Sequence, residues 1–263
     1  MKICTLMSGS SGNAVFIETS ETKILIDAGQ SGKAITCALE KSCGITPGDL
    51  DAIFLTHGHR DHIMGAGVLA RRYKLPVYAT EGTWCEIKSL VGNISEEQKK
   101  YIDVKKTWEL GDIKIETFPL SHDAVEPVGF LVSKGGKSVG LATDTGVFTT
   151  RMGNTLQNSD CLILEANHDS ELLRNGSYPW SLKKRISGIH GHLSNETAGQ
   201  ALLRTLGKKS KEVILSHLSE ENNEPKLALK TVKNILETEQ VSLEEVNIMV
   251  APRYKPGVQV NIE

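Results

Sequence analysis

Ala52-Ile53-Phe54-Leu55-Thr56-His57-Gly58-His59-Arg60-Asp61-His62 passes directly from four apolar residues into four potential metal ligands. The apolar run reads as a short, fully buried strand. The polar stretch follows it on a loop, at the end of the strand where an α/β sheet presents its site. Neutral imidazoles and a carboxylate are donors that suit Zn, Mn, Fe or Co. His57 and His59, two residues apart on an extended turn, can face one ion, while Asp61 and His62 are displaced enough to serve a second beside it. Gly58 removes a side chain where the backbone must bend around the cluster. A histidine-rich surface loop is the plainer alternative, but it leaves four donors directly behind a buried strand without a reason.

Further polar residues close other apolar runs on either side. Asp27 ends Lys23-Ile24-Leu25-Ile26, His122 follows 113–120, Asp144 follows 139–143, and His217 follows Val213-Ile214-Leu215-Ser216. Singly, each reads as an ordinary strand-end residue. Together they supply the donors that two ions need at about four or five ligands each, with positions left for water. The surrounding pattern is a hairpin over 14–17 and 23–26, strands over 76–79, 113–118, 128–132, 138–142, 161–164, 212–216 and 246–250, and helices over 33–41, 65–73, 83–90, 95–101, 194–206 and 224–237. Ser194 should cap the helix it opens. This order predicts one α/β domain over 1–263, with two sheets covered by helices on their outer faces.

The 263 residues are 39% hydrophobic and 24% charged, which excludes disordered and fibrous classes. A net charge of −2 gives no overall argument for nucleic-acid binding. No apolar run approaches the ~20 residues that cross a bilayer, and the first residues turn polar too soon for a signal peptide. Five scattered cysteines without a C-x-x-C pair point to a reducing cytoplasm.

The order Asp27, His57-x-His59-x-Asp61-His62, His122, Asp144, His217 resembles the five motifs of the metallo-β-lactamase superfamily. The resemblance implies a four-layer αββα sandwich with a dinuclear site at the edge between its sheets. It implies that His57, His59 and His122 hold one ion, that Asp61, His62 and His217 hold the other, and that Asp144 bridges them. Asp27 would orient the ligand loop without touching metal. The lactam-hydrolysing members tend to have cysteine where Asp144 stands, which points to phosphodiesters or thioesters. Two divalent ions, Zn, Mn or Fe, would supply a bridging hydroxide, with Asp61 also accepting a proton from water.

Two further segments narrow the substrate. Ser8-Gly9-Ser10-Ser11-Gly12-Asn13 is a donor-rich turn, in which Ser10, Ser11 and Asn13 can face an anion. Lys183 to Lys211 contains Lys183, Lys184, Arg185, Arg204, Lys208, Lys209 and Lys211 against Glu196 alone, although a solvated helix face explains such a run equally well. Within it, His192 precedes a helix whose first turn carries Ser194 and Asn195, a place that favours phosphate oxygens. Glu165-Ala166-Asn167-His168-Asp169 and Gly191-His192-Leu193-Ser194-Asn195, with the Gly-Ser-Ser-Gly-Asn start, resemble the YycJ/WalJ branch of that superfamily. These are small bacterial relatives of ribonucleases Z and J proposed to be 5′-to-3′ DNA exonucleases. The branch implies that His192 binds the scissile phosphate or protonates the leaving oxygen, and that Asn167 and His168 line the same cleft. His190 is read as structural. The alternative is a thioester hydrolase of the glyoxalase II kind, which shares the ligands but has no use for the basic run. An ion-storing protein and a lactamase rank below both.

Overall fold

Strands made of Ile, Val, Leu and Phe with both faces apolar must be covered on both faces, and the computed structural model resolves how. It describes residues 1–207, 209, 212–253, 255–257 and 259–263, so Lys208 and Lys211 of the basic run lie outside the described residues. The first sheet is built from β1 (Lys2–Met7), β2 (Ala14–Glu18), β3 (Lys23–Ile26), β4 (Ala52–Phe54), β5 (Val77–Ala79) and β6 (Lys99–Tyr101). The second contains β7 (Thr107–Leu110), β8 (Ile113–Pro119), β9 (Val128–Lys134), β10 (Lys137–Ala142), β11 (Cys161–Glu165), β12 (Glu212–Ser216) and β13 (Asn247–Val250), and β14 (Gln259–Asn261) returns to the first. The orders are β14-β1-β2-β3-β4-β5-β6 and β13-β12-β11-β10-β9-β8-β7.

Each sheet is antiparallel in one half and parallel in the other. As a result β1, β3, β4, β8, β10, β11 and β12 all deliver their C-terminal ends to one rim. The inner faces meet through Ile3, Ile17, Ile24 and Phe54 on one side and Ile115, Phe130, Val139 and Ile163 on the other. The outer faces carry α1 (Gly32–Cys43), α2 (Arg60–Ile63), α3 (Ala66–Tyr73) and α4 (Glu81–Ile87) on the first sheet, and α5 (Thr150–Leu156), α6 (Ser170–Asn175), α7 (Trp180–Ile186), α8 (Asn195–Thr205) and α9 (Pro225–Thr238) on the side of the second. The layers are therefore helix, sheet, sheet, helix. No helix among the described residues is long and apolar enough to cross a membrane.

Two local expectations change. Residues 95–101 do not form a helix: Gln98 Nε2 donates to the carbonyls of Ala70 and Leu75, Val77 N donates to Gln98 O, and Lys99–Tyr101 pairs with β5. Tertiary pairing overrides the helix propensity of a Glu- and Lys-rich run. Nor is the whole ligand stretch a loop, because α2 forms a single turn with His59 as its N-terminal flanking residue. Gly29 makes that turn's position possible, since a Cβ there would lie 1.7 Å from the Asp61 carbonyl oxygen.

Candidate metal centre

At the rim, Asp27, Asp144 and His217 leave their strands in left-handed backbone conformation, at φ 61°, 59° and 56°. Non-glycine residues adopt this region at a cost and mostly where surroundings enforce it. The turn swings each side chain from the sheet edge toward the space between the sheets. Three donor trios result, His57–His59–His122, His57–His62–Asp144 and Asp61–His62–His217, and a group of four, Asp144, Glu165, His192 and His217, adjoins them, the donor atoms of each within 4.8 Å of one another. Asp144 lies between the outer two: Oδ2 is 3.2 Å from His62 Nε2, and Oδ1 is 3.7 Å from His122 Nε2.

Each imidazole uses one nitrogen for the protein and leaves the other toward the cluster. His57 Nδ1 lies 2.9 Å from Thr56 Oγ1, His62 Nδ1 2.7 Å from Asp27 Oδ2, His122 Nδ1 3.0 Å from the Gly191 carbonyl, and His217 Nδ1 2.9 Å from Glu165 Oε1. Asp27 also accepts from Thr56 N and Oγ1, so one carboxylate orients two neighbouring ligand positions. His59 turns Nδ1 to within 3.2 Å of His122 Nε2, and its Nε2 lies 3.8 Å from Asp123 Oδ1. His57 Nε2 and His217 Nε2 are buried without a hydrogen-bond partner, and buried Asp144 Oδ2 faces His62 Nε2 at 3.2 Å. Buried polar atoms are rarely left unpartnered, and these three converging from both sheets fit divalent cations.

The electrostatics agree with that fit. Burial pushes His57 and His122 down, keeping both neutral. Burial alone would push Asp144 up, but His217 and His62 outweigh it and hold the carboxylate ionised. Burial would likewise lower His62 and His217; the carboxylates around them prevail, Asp144 foremost, and lift His217 to about 10. In the metal-free protein these two imidazoles therefore carry protons that an ion would displace.

Beside the cluster, His192 Nδ1 lies 2.6 Å from Glu165 Oε1, the oxygen that also meets His217. Glu165 is fully buried, and its other oxygen accepts from Leu193 N and Thr145 N. Burial would raise the Glu165 pKa, but His192 and the hydrogen bonds bring it to about 2. Glu165, Thr56 and Asp123 contact the donor side chains, and the sequence alone assigns none of the three a role. The available signal for Glu165 was a lone carboxylate closing an otherwise apolar strand.

Several expected substrate contacts are corrected. Asn195 and Asn223 exchange side-chain hydrogen bonds of 3.0 and 2.8 Å in the interior, so Asn195 is closed to ligand. Asn167 Nδ2 donates to the His217 carbonyl, and Ser194 Oγ caps α8 by accepting from Thr197 N. Asn13 accepts from Gly9 N, and its Nδ2 lies 3.0 Å from His62 Nε2 and 3.4 Å from the Asp61 carbonyl, beside the ligand turn. Ser10 is exposed and Ser11 half-buried, both free to meet an anion at the rim. His168 is buried with Nδ1 unpartnered, near Glu165 and His192.

A two-sheet sandwich with helices outside and a His/Asp cluster at the rim defines a metallo-β-lactamase-type hydrolase. Residues 22–218 match the β-lactamase superfamily domain, and the chain belongs to that family. It is similar to the exodeoxyribonuclease WalJ of Streptococcus pneumoniae serotype 2 (strain D39), at 49% identity over 237 residues, covering 89% of this chain and 88% of that protein. It is also similar to the exodeoxyribonuclease YycJ of Bacillus anthracis, at 44% identity over 232 residues and 88% of each chain. Among solved structures, the metallo-β-lactamase fold protein YhfI from Bacillus subtilis superposes over 98% of both chains with a TM-score of 0.75 at 18% identity, a likeness of fold.

Proposed function

We propose that this chain is a DNA exonuclease that works from the 5′ end with two divalent ions, Zn, Mn or Fe. The observation that carries the reading is the Glu165–His192 pair set directly beside the clustered donors. Its kinship with two proteins named exodeoxyribonucleases, over almost nine-tenths of the chain, supports DNA as the substrate. In this reading His57, His59 and His122 hold one ion, Asp61, His62 and His217 hold the other, and Asp144 lies between them. Two divalent ions held by these residues would supply Lewis acidity for activating a water and positive charge against a phosphodiester.

The chain's own groups do the rest. Glu165 fixes the His192 ring through Nδ1 and raises its proton affinity against the effect of burial, which suits Nε2 to hold a proton. That proton is the one for the leaving oxygen. Asp27 and Thr56 keep the donors aimed, and Ser10, Ser11 and His168 border the approach. The five cysteines, none in a disulfide, suit a reducing cytoplasm.

The test uses metal-stripped protein reloaded separately with Mn and Zn, occupancy being checked by elemental analysis. Duplex DNA and RNA labelled at either end are offered beside a thioester and a β-lactam, with Asp61→Ala as the control for contaminating nucleases. Stepwise release from the 5′ end of DNA, absent in the control, is expected. Thioester cleavage with inert nucleic acids would overturn the substrate assignment while leaving the site intact.

A further inference from the structure

α7 is a helix without a buried residue. It contributes nothing to the cores, yet it stands directly ahead of the loop that carries His192, whose backbone N–H donates to the Ile186 carbonyl. Around its axis, Trp180, Lys184, Ser181 and Arg185 follow one another within about 140° at 100° per residue. All four are exposed, while Leu182 and Ile186 turn the other way and are half-buried. Trp180 is 67% exposed, the largest value among the exposed large hydrophobic side chains of the described residues. Trp84, by contrast, is buried.

The two ends of this ridge have distinct surroundings. Lys184 Nζ stands 5.8 Å from the Trp180 ring centroid and has no carboxylate partner among the described residues. Arg185 donates through Nε to Asp123, whose other oxygen is 3.5 Å from His122 Nε2, and its side chain remains 59% exposed. Lys183 braces the helix from its side by donating to the carbonyls of Arg174 and Gly176. An open indole and two cations on a braced ridge that ends beside the metal ligands match the chemistry of a single strand, whose bases stack and whose phosphates attract cations. From Trp180 to Ile186 the helix rises about 9 Å, roughly the length of two to three stacked nucleotides.

We propose that α7 is a stacking platform for an unpaired nucleotide near the end of a DNA strand, with Trp180 taking the base and Lys184 and Arg185 the adjoining phosphates. The proposal rests on the nuclease reading and gives it a grip on single-stranded ends. Neither an apolar protein partner nor a second copy of the chain explains cations flanking the ring as well.

The test is binding of a short fluorescein-labelled oligothymidylate to the full-length protein in EDTA, followed by anisotropy, beside an abasic strand of equal length and charge. Trp180→Ala is expected to weaken oligothymidylate binding by about 5- to 150-fold and to leave the abasic strand unaffected. Trp180→Phe should recover most of the loss. Lys184→Ala should weaken both strands and flatten the salt dependence. Equal affinity of Trp180→Ala and wild type for oligothymidylate, or an equal loss on the abasic strand, would overturn the platform. So would a wild type that binds neither strand, or a dimer that Trp180→Ala dissociates with DNA affinity unchanged. Hydrolysis of end-labelled DNA by metal-loaded protein is read separately. A protein that cleaves DNA but is indifferent to Trp180 loses the platform alone, and one that stacks a strand without cleaving DNA loses the nuclease alone.

Discussion

His192 and Asp144 sit within 3.7 Å of each other but are expected to fail in different ways when replaced. His192 is held by Glu165 and turns a ring edge toward the cleft, so His192→Ala should lower kcat by about 100-fold or more while both metals stay bound. Metal content by elemental analysis, measured on the same sample as the rate, decides this; an ion lost with the ring would make His192 a ligand. Glu165→Gln keeps the shape but removes the charge that orders the His192 and His217 rings, and an activity loss of about 10- to 100-fold is expected. Asp144→Ala removes the carboxylate between the two outer trios and should cost one ion or the fixed spacing between ions. Two fully bound metals at unchanged separation, by X-ray absorption, would refute the bridging role. The donors were legible in the sequence because each must close an apolar strand, a pattern visible one run at a time. Of their orienting partners only Asp27 was legible, because Thr56, Asp123 and the Gly191 carbonyl take up that role only after folding, and no spacing encodes it.

Among the elements, α8 holds with the protein's own groups two side chains that the sequence offered as substrate contacts. Ser194 caps the helix as its sequence suggests, and for that reason its hydroxyl is taken. Asn195 is taken as well, by Asn223 from the segment that leads into α9, a partner 28 residues away that no local pattern reveals. Asn223 Nδ2 also donates to the carbonyls of Ala166 and Asn167, directly past β11. Asn223→Ala would leave these buried acceptors unmet and should destabilise the fold by about 2–3 kcal/mol. Urea unfolding would show this as a lower midpoint at unchanged slope. The short strand β6 teaches the same lesson in reverse, since its helix-favouring residues are decided by the edge of β5 and the side chain of Gln98. Elements with a strong apolar period were readable, whereas exposed edge segments took the structure that a neighbour imposed.

At the scale of the molecule, the two sheets meet at the rim through ionisable groups. In the metal-free protein His62 and His217 are protonated well above the usual imidazole range, and a metal must remove those protons to bind. Affinity should therefore rise steadily with pH from about 6 to 8, with proton release measurable in weak buffer. A pH-independent affinity without proton release would contradict the proposed ligand set. Ions bound to the native state alone should also raise the melting temperature in proportion to the logarithm of their free concentration.

The donor trios draw on both sheets, with His57, His59, Asp61 and His62 following β4 and His122, Asp144 and His217 following strands of the second. Chelation should then loosen the sandwich from one side only. Amides bonded across the rim, such as Val128 N to Thr56 O and His217 N to Ser8 Oγ, should exchange with deuterium sooner in EDTA, while Ile115 and Val132 in the sheet interior should keep their protection. The cations would thus govern how long the mouth of the protein stays shut as well as what happens inside it.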